Sequence, residues 1–184
     1  MLTLILGGAR SGKSRLAQRL AAAAGRVSYV ATAQAGPDSE MSARIARHRA
    51  GRPSSWRTVE EPLALACAVD RAAGDSDTVL VDCLTVWLSN LFWEHRSGTS
   101  QEVEDAARTE LERIVITSRR CHVILVSNEL GSGTVPEPAL TRAFRDTQGL
   151  LNQWAAEAAD EVILTIAGLP LYLKTHSRAS VQNE

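Results

Sequence analysis

The chain is short of the features that mark several protein classes. It has three cysteines, Cys67, Cys83 and Cys121, an odd number with no CxxC spacing. That excludes a disulfide-stapled secreted scaffold and a cysteine-based zinc site, and it reads as reduced thiols in a cytoplasmic protein. There is no surplus of charge: 20 Lys and Arg stand against 21 Asp and Glu, for a formal net charge of −1. A general nucleic-acid binder carries a basic excess, so no nucleic-acid partner is expected. No apolar run approaches the roughly 20 residues of a membrane helix, so no membrane span is expected. The opening Met1-Leu2-Thr3-Leu4-Ile5-Leu6 has neither a basic n-region nor a small-residue cleavage site, and no secretory leader is expected. Internal repeats, low-complexity tracts and long linkers are also missing.

What is there is an ordinary globular composition over 184 residues, 45% hydrophobic and 22% charged. That is enough for one domain with a core. A single catalytic domain is expected over residues 1–174, with a polar tail over 175–184. Five short runs rich in Val, Ile and Leu read as buried strands: 2–6, 27–31, 78–81, 122–126 and 162–166. Residues 56–60 are a weaker candidate, and 171–174 a last edge strand. None alternates cleanly with polar residues, and helical stretches separate them, which argues for an α/β fold with a mostly parallel sheet covered on both faces. Helices are expected over 14–24, ending at Gly25, and over 39–50, after Asp38. A third is expected over 62–73, with Pro62 in its first turn. Two more are expected over 101–119, behind a Thr99/Glu102 capping box, and over 139–158.

The most specific local signal is Gly7-Gly8-Ala9-Arg10-Ser11-Gly12-Lys13-Ser14, which matches GxxxxGK[ST] between a strand and a helix. Glycines let successive N–H groups turn toward phosphate oxygens, and the helix N-terminus adds its positive dipole end. Lys13 reaches the β- and γ-phosphates, and the Ser14 hydroxyl ligates Mg²⁺. Such a site needs a second acid on the metal side. Asp82 closes a strand and fits that place; its other reading is a helix N-cap. Glu129 ends another strand and is either a rim ligand or a loop carboxylate. No NKxD segment follows any strand, which disfavours a Ras-like GTPase switch.

The second feature is Arg44-Ile45-Ala46-Arg47-His48-Arg49-Ala50-Gly51-Arg52, four arginines and a histidine within nine residues. On a helix, Met41, Ile45 and His48 share one face. The arginines are either a solvated face or a second phosphate-handling group, and His48 is either a core histidine or a nucleophile. A neutral imidazole among cations keeps a ring nitrogen free to attack phosphorus, and the arginines stabilise a departing pyrophosphate.

Taken in order, these segments resemble a known family. They are GGARSGKS, Tyr29-Val30-Ala31-Thr32-Ala33-Gln34, His48-Arg49 with Arg52-Pro53, Trp56 to Pro62, Val81 to Leu91, Val126 to Gly131 with Val135-Pro136, and Phe144-Arg145-Asp146 leading to Asn152. The family is the bifunctional adenosylcobinamide kinase / adenosylcobinamide-phosphate guanylyltransferase of cobalamin biosynthesis, and the likeness runs from residue 2 to about residue 174. It implies a RecA-like P-loop fold. It also implies two reactions: transfer of the γ-phosphate of ATP or GTP to adenosylcobinamide, then guanylylation of a histidine by GTP and passage of the GMP to adenosylcobinamide phosphate. It implies that His48 is the guanylylated residue. Nucleotide contacts fall on Gly7 to Ser14, on Ala31, Thr32 and Ala33, on Arg49, Ala50, Gly51 and Arg52, and on Glu60 and Asp82. Mg²⁺ and a homo-oligomer, a trimer, are implied as well. Two rivals fit the residues alone: a kinase for another small alcohol, and a RecA-like regulatory ATPase.

Overall fold

The computed structural model describes residues 1–34, Ala46, Arg49 and 51–175. Seven strands form one sheet: β1 (Leu2–Gly7), β2 (Val27–Ala31), β3 (Arg57–Glu60), β4 (Thr78–Asp82), β5 (His122–Asn128), β6 (Glu161–Ile166) and β7 (Leu169–Lys174). Their order is β3-β2-β4-β5-β1-β6-β7. All neighbours run parallel except β7, which returns antiparallel to β6. This is the α/β architecture that the uninterrupted apolar strands imply. The helices are α1 (Lys13–Ala22), α2 (Leu65–Asp75), α3 (Leu84–Glu94), α4 (Ser100–Ser118) and α5 (Ala139–Ala158).

Side chains alternate across the strands into two cores. Leu2, Leu4, Val79, Val81, Val123 and Leu125 face α2, α3, α4 and α5. Ile5, Leu80, Ile124, Val126 and Ile163 face Leu16, Ala17 and Ala21 of α1. A strand buried on both faces has no polar side to show, which is why these runs read as continuous hydrophobic segments.

Local signals account for most element ends. The Thr99 hydroxyl accepts from the Glu102 N–H at 3.3 Å, and the Glu102 carboxylate accepts from the Thr99 N–H at 3.1 Å. That reciprocal pair starts α4. Helix α2 begins three residues after Pro62, not with it. The Glu61 carboxylate accepts from the Leu63 and Ala64 N–H groups at 3.0 and 2.9 Å, which holds this stretch in a turn. Helix α3 has no counterpart among the expected helices. Leu84, Trp87, Leu88 and Leu91 form its buried face at i, i+3, i+4 and i+7, but Val86, Phe92 and Trp93 are apolar too and blur that period in the sequence. The expected helix over 39–50 lies outside the described residues apart from Ala46 and Arg49, which are helical. Among the described residues no helix is long and apolar enough to cross a membrane.

Candidate active site

The carboxyl ends of the parallel strands form one rim, and register places the expected site residues along it. Ala31 pairs with Glu60 of β3 on one side and with Asp82 of β4 on the other. Asp82 pairs with Val126, and Gly7 pairs with Asn128. Asp82 therefore stands level with Glu60, two strand spacings or about 10 Å away, and Gly7 lies two strands to the other side and two residues further along.

The phosphate loop leaves β1 at Gly7. A Cβ there would lie 2.4 Å from both Ser11 Oγ and Thr165 Oγ1, and 2.7 Å from the Thr165 carbonyl oxygen. Only glycine lets the strand end pass so close to β6. Ser11 Oγ and Thr165 Oγ1 are 2.9 Å apart and buried, and Thr165 Oγ1 donates to the Leu6 carbonyl at 2.9 Å. Gly12 has φ 97°, a left-handed conformation that glycine adopts without cost. The Gly168 N–H donates to the Ser11 carbonyl at 2.8 Å, so the β6–β7 turn props the loop from outside. Arg10 at φ 57° is the non-glycine residue held left-handed in the loop, a sparsely populated state of the kind found where a loop is shaped for a ligand. Ala9 is exposed at the tip, and a Cβ on Gly8 would meet no described atom within 4 Å.

Helix α1 starts at Lys13 without a side-chain cap at Gly12. Its first N–H groups are thus not met by the usual hydroxyl or carboxylate, as an anion site requires. Lys13 is 7% exposed, and its Nζ donates to the Gly8 carbonyl at 3.0 Å, folding the ammonium over the loop.

Asp82 faces this loop. The Ser14 hydroxyl donates to its Oδ1 at 3.3 Å and the Tyr29 hydroxyl to its Oδ2 at 2.7 Å. The N-cap of α3 is Cys83, with no side-chain cap bond, so the carboxylate of Asp82 serves the loop and not a helix end. Burial, together with the Asp82 charge, holds the Tyr29 phenol well above its ordinary pKa, and it stays a donor. Burial also pushes the Cys83 thiol up to about 11, which makes it unreactive. Thr32 is committed to the fold: its hydroxyl donates to the Cys83 carbonyl at 2.8 Å and accepts from the Cys83 N–H at 3.0 Å. Its carbonyl accepts from Asn90 Nδ2 at 2.9 Å, while Ala33 beside it is half-buried.

The other end of the rim is a pocket of about 380 Å³ bounded by Arg49, Arg52, Pro53, Trp56, Thr58 and Glu60. Arg49 forms an exposed ion pair with Glu60. Arg52 lies over the Tyr29 ring, with Cζ 3.6 Å from the centroid. Gly51 is an exposed turn residue between the two arginines. His48 and Ala50 lie outside the described residues; Arg49 follows His48 directly in the chain.

Glu129 sits at the rim, its N–H donating to the Gly7 carbonyl at 3.2 Å. Its carboxylate accepts from the Gly131 N–H at 2.7 and 3.0 Å, the loop reading. Beneath it is a buried polar group that sequence reasoning missed. Ser127 donates to Asn152 Oδ1 at 2.6 Å, Gln148 Nε2 donates to Ser127 Oγ at 3.0 Å, and Asn152 Nδ2 donates to the Asn128 carbonyl at 3.0 Å. Ser127 at the end of an apolar strand, with Gln148 and Asn152 one helical turn apart on α5, was the available signal.

Ser14 and Asp82 offer a hydroxyl and a carboxylate on one side of a phosphate cradle, hard oxygen donors that suit Mg²⁺. Among the described residues no three His, Cys, Asp or Glu side chains cluster as ligands. Two protein oxygens completed by phosphate oxygens and water are the usual arrangement for this ion.

Comparison with known proteins covers nearly the whole chain. The family model described as cobinamide kinase / cobinamide phosphate guanyltransferase matches residues 3–173. The bifunctional adenosylcobalamin biosynthesis protein CobP of Pseudomonas aeruginosa is 52% identical over 175 residues, covering 95% of this chain and 98% of that one. The bifunctional adenosylcobalamin biosynthesis proteins CobU of Escherichia coli and of Salmonella typhimurium are each 40% identical over 182 residues, covering 95% of this chain and all of theirs.

Proposed function

The chain belongs to the cobinamide kinase / cobinamide phosphate guanyltransferase family, and on that premise we propose that its two activities divide along the rim. It phosphorylates adenosylcobinamide with ATP or GTP at the loop end. It transfers GMP from GTP to adenosylcobinamide phosphate through the arginine end. The observation that carries this division is the placement of Gly7, Asp82 and Glu60 at evenly spaced strand ends, with a phosphate cradle at one end and a two-arginine pocket at the other.

In the kinase step the substrate hydroxyl attacks the γ-phosphorus and the nucleoside diphosphate leaves. The loop N–H groups and Lys13 hold the β- and γ-oxygens and offset the charge that builds on them. Ser14 and Asp82 would hold Mg²⁺. That ion, when bound, neutralises charge across the phosphate oxygens. In the guanylyl step a ring nitrogen of His48 attacks the α-phosphorus of GTP, a P–N bond forms, and pyrophosphate leaves. The phosphate of adenosylcobinamide phosphate then displaces His48, giving adenosylcobinamide-GDP. Arg49, Gly51 and Arg52 face the phosphates in this step. Glu60 holds Arg49, and Ala31 and Ala33 border the nucleotide above Thr32.

We read residues 1–174 as one catalytic domain and the enzyme as a cytoplasmic homo-oligomer, a trimer. The apolar side chains of β7 support self-association, since Leu169, Leu171, Tyr172 and Leu173 are 71, 52, 50 and 56% exposed on an unpaired edge.

The test is to trap protein-bound nucleotide from GTP labelled in the α-phosphate. His48→Asn is expected to abolish labelling and nucleotidyl transfer while keeping much of the kinase rate. The wild-type adduct is expected to be acid-labile and alkali-stable, as a P–N bond is. Wild-type labelling in His48→Asn rejects the mechanism.

A further inference from the structure

We infer that Tyr29 is a positioning residue shared by both ends of the rim: its hydroxyl sets the plane of the Asp82 carboxylate, and its ring carries the Arg52 guanidinium. The inference rests on the reading of Asp82 as the metal-side acid.

Tyr29 occupies the middle of β2 and is 1% exposed, packed between β3 and β4 over the α1 side of the sheet. An aliphatic residue would satisfy a strand interior, yet here a phenol is buried with one specific hydrogen bond. A phenol has a single proton, and Tyr29 gives it to Asp82 Oδ2 at 2.7 Å. The other carboxylate oxygen, Oδ1, is the one 3.3 Å from Ser14 Oγ. Tyr29 thus anchors one oxygen in the interior and leaves the other turned toward the phosphate loop. Without that anchor Oδ2 loses the bond that holds it inward, and the ligand oxygen is less firmly aimed.

The opposite side of the same residue serves Arg52, whose Cζ lies 3.6 Å from the ring centroid, a close cation–π distance. Arg52 Nε and Nη1 are buried and donate to nothing among the described residues. Trp56 flanks the phenol, with ring centroids 6.5 Å apart and planes at 30°. The ring therefore sets the height and tilt of a guanidinium whose Nε and Nη1 are unspent among the described residues, at the edge of the pocket proposed for the guanylyl step. One side chain touches both the acid of one half-site and the cation of the other.

Two substitutions separate these roles. Tyr29→Phe keeps the ring and removes the proton donated to Asp82. Tyr29→Leu removes both. Mn²⁺ binding is read without turnover, from the electron paramagnetic resonance signal of free Mn²⁺. The protein is saturated with the α,β-methylene analogue of GTP, and no corrinoid is present. GMP labelling from GTP is read separately at saturating Mg²⁺. Tyr29→Phe is expected to raise the Mn²⁺ dissociation constant about tenfold, as the loss of a partner behind a metal ligand does. It should move the GTP concentration for half-maximal labelling less than twofold. Tyr29→Leu is expected to raise both. Asp82→Asn is the reference. If it weakens Mn²⁺ binding and Tyr29→Phe does not, the anchoring role is overturned while the metal reading of Asp82 stands. If Asp82→Asn leaves Mn²⁺ binding unchanged, that reading fails and the anchoring role falls with it. If Tyr29→Phe raises the GTP requirement as far as Tyr29→Leu, the ring is not what holds Arg52. Tyr29→Phe fills the same volume, so the decision does not depend on the leucine variant folding.

Discussion

The phosphate loop and the arginine pocket share one rim, but the loop is assembled from backbone and the pocket from side chains. At Gly7 the chain is locked between Ser11 and Thr165 at distances no other residue tolerates, and the Ser11 carbonyl is held by Gly168. At the other end, the Arg49–Glu60 pair is exposed, on an edge strand of four residues with one half-buried side chain. Backbone amides fixed in the core suit a ligand group of constant geometry, such as the β-phosphate that stays with the nucleotide as the γ-phosphate leaves. Long side chains at a sheet edge suit a step in which the group being held changes from GTP to pyrophosphate to a corrinoid phosphate. On the proposed division, a rigid cradle and an adaptable clamp would serve two phosphorus chemistries on one sheet.

That contrast can be broken, and the largest test is Lys13→Ala. The side chain folds over its own loop, so the variant is expected to fold normally by circular dichroism. It should lose about 10²–10³-fold in kinase rate, the usual loss when one preorganised charge-stabilising donor is removed. Near-normal phosphorylation of cobinamide would show that the cradle is not where phosphoryl transfer occurs.

Gly7→Ala comes next. The added methyl must displace Ser11, Thr165 or the backbone of β6, and overpacking of this kind costs about 1–3 kcal/mol. Urea unfolding is expected to show that loss together with weaker nucleotide binding. An unshifted midpoint would mean that the loop is as adaptable as the pocket.

Glu60→Gln probes the opposite end. An exposed pair stabilises by less than about 1 kcal/mol, so the unfolding midpoint should barely move. The GTP concentration for half-maximal labelling should rise several-fold as Arg49 loses its hold, with the kinase KM for ATP little changed. Equal shifts in both constants would merge the two half-sites into one.

The smallest effect belongs to His122, at the amino end of β5 and away from the rim. Burial, helped by the nearby N-terminal ammonium, holds its pKa below the ordinary imidazole value. The unfolded chain therefore takes up a proton at higher pH than the folded one. Stability is level above the ordinary value and declines as pH falls from there to the lowered one. His122→Gln is expected to flatten that decline in pH-dependent thermal unfolding without altering either nucleotide constant. A changed nucleotide constant would show that the sheet transmits strain to its rim.

Much of this was legible in the residues. The runs at 27–31 and 78–81 announce strands because burial on both faces removes polar positions, and the loop pattern is readable because it sits between such a strand and a helix. Helix α3 was hidden for a different reason: Val86, Phe92 and Trp93 are apolar as well and blur the face of Leu84, Trp87, Leu88 and Leu91, so only the N-cap reading of Asp82 hinted at a helix there. Pro62 pointed to a helix start, but Glu61 captures the following N–H groups first. Asp82 was legible as an acid at a strand end, not as the acceptor for Ser14 and Tyr29. Those bonds join residues 68 and 53 positions apart in sequence. Tyr29 itself reads as one more apolar residue in a buried strand, and only the register of β2 against β4 brings its hydroxyl to the carboxylate.

The contacts that brace the phosphate loop also set a schedule for making the protein. Ser11 meets Thr165, 154 residues later, and Gly168 supports the Ser11 carbonyl. A chain growing from the ribosome makes its glycine-rich loop long before β6 and β7, which support it. Domains fold as units during synthesis, and here the unit closes only when the β6–β7 hairpin has emerged. The growing polypeptide therefore carries an unfinished cradle until that hairpin emerges, and the proposed nucleotide capture waits for it.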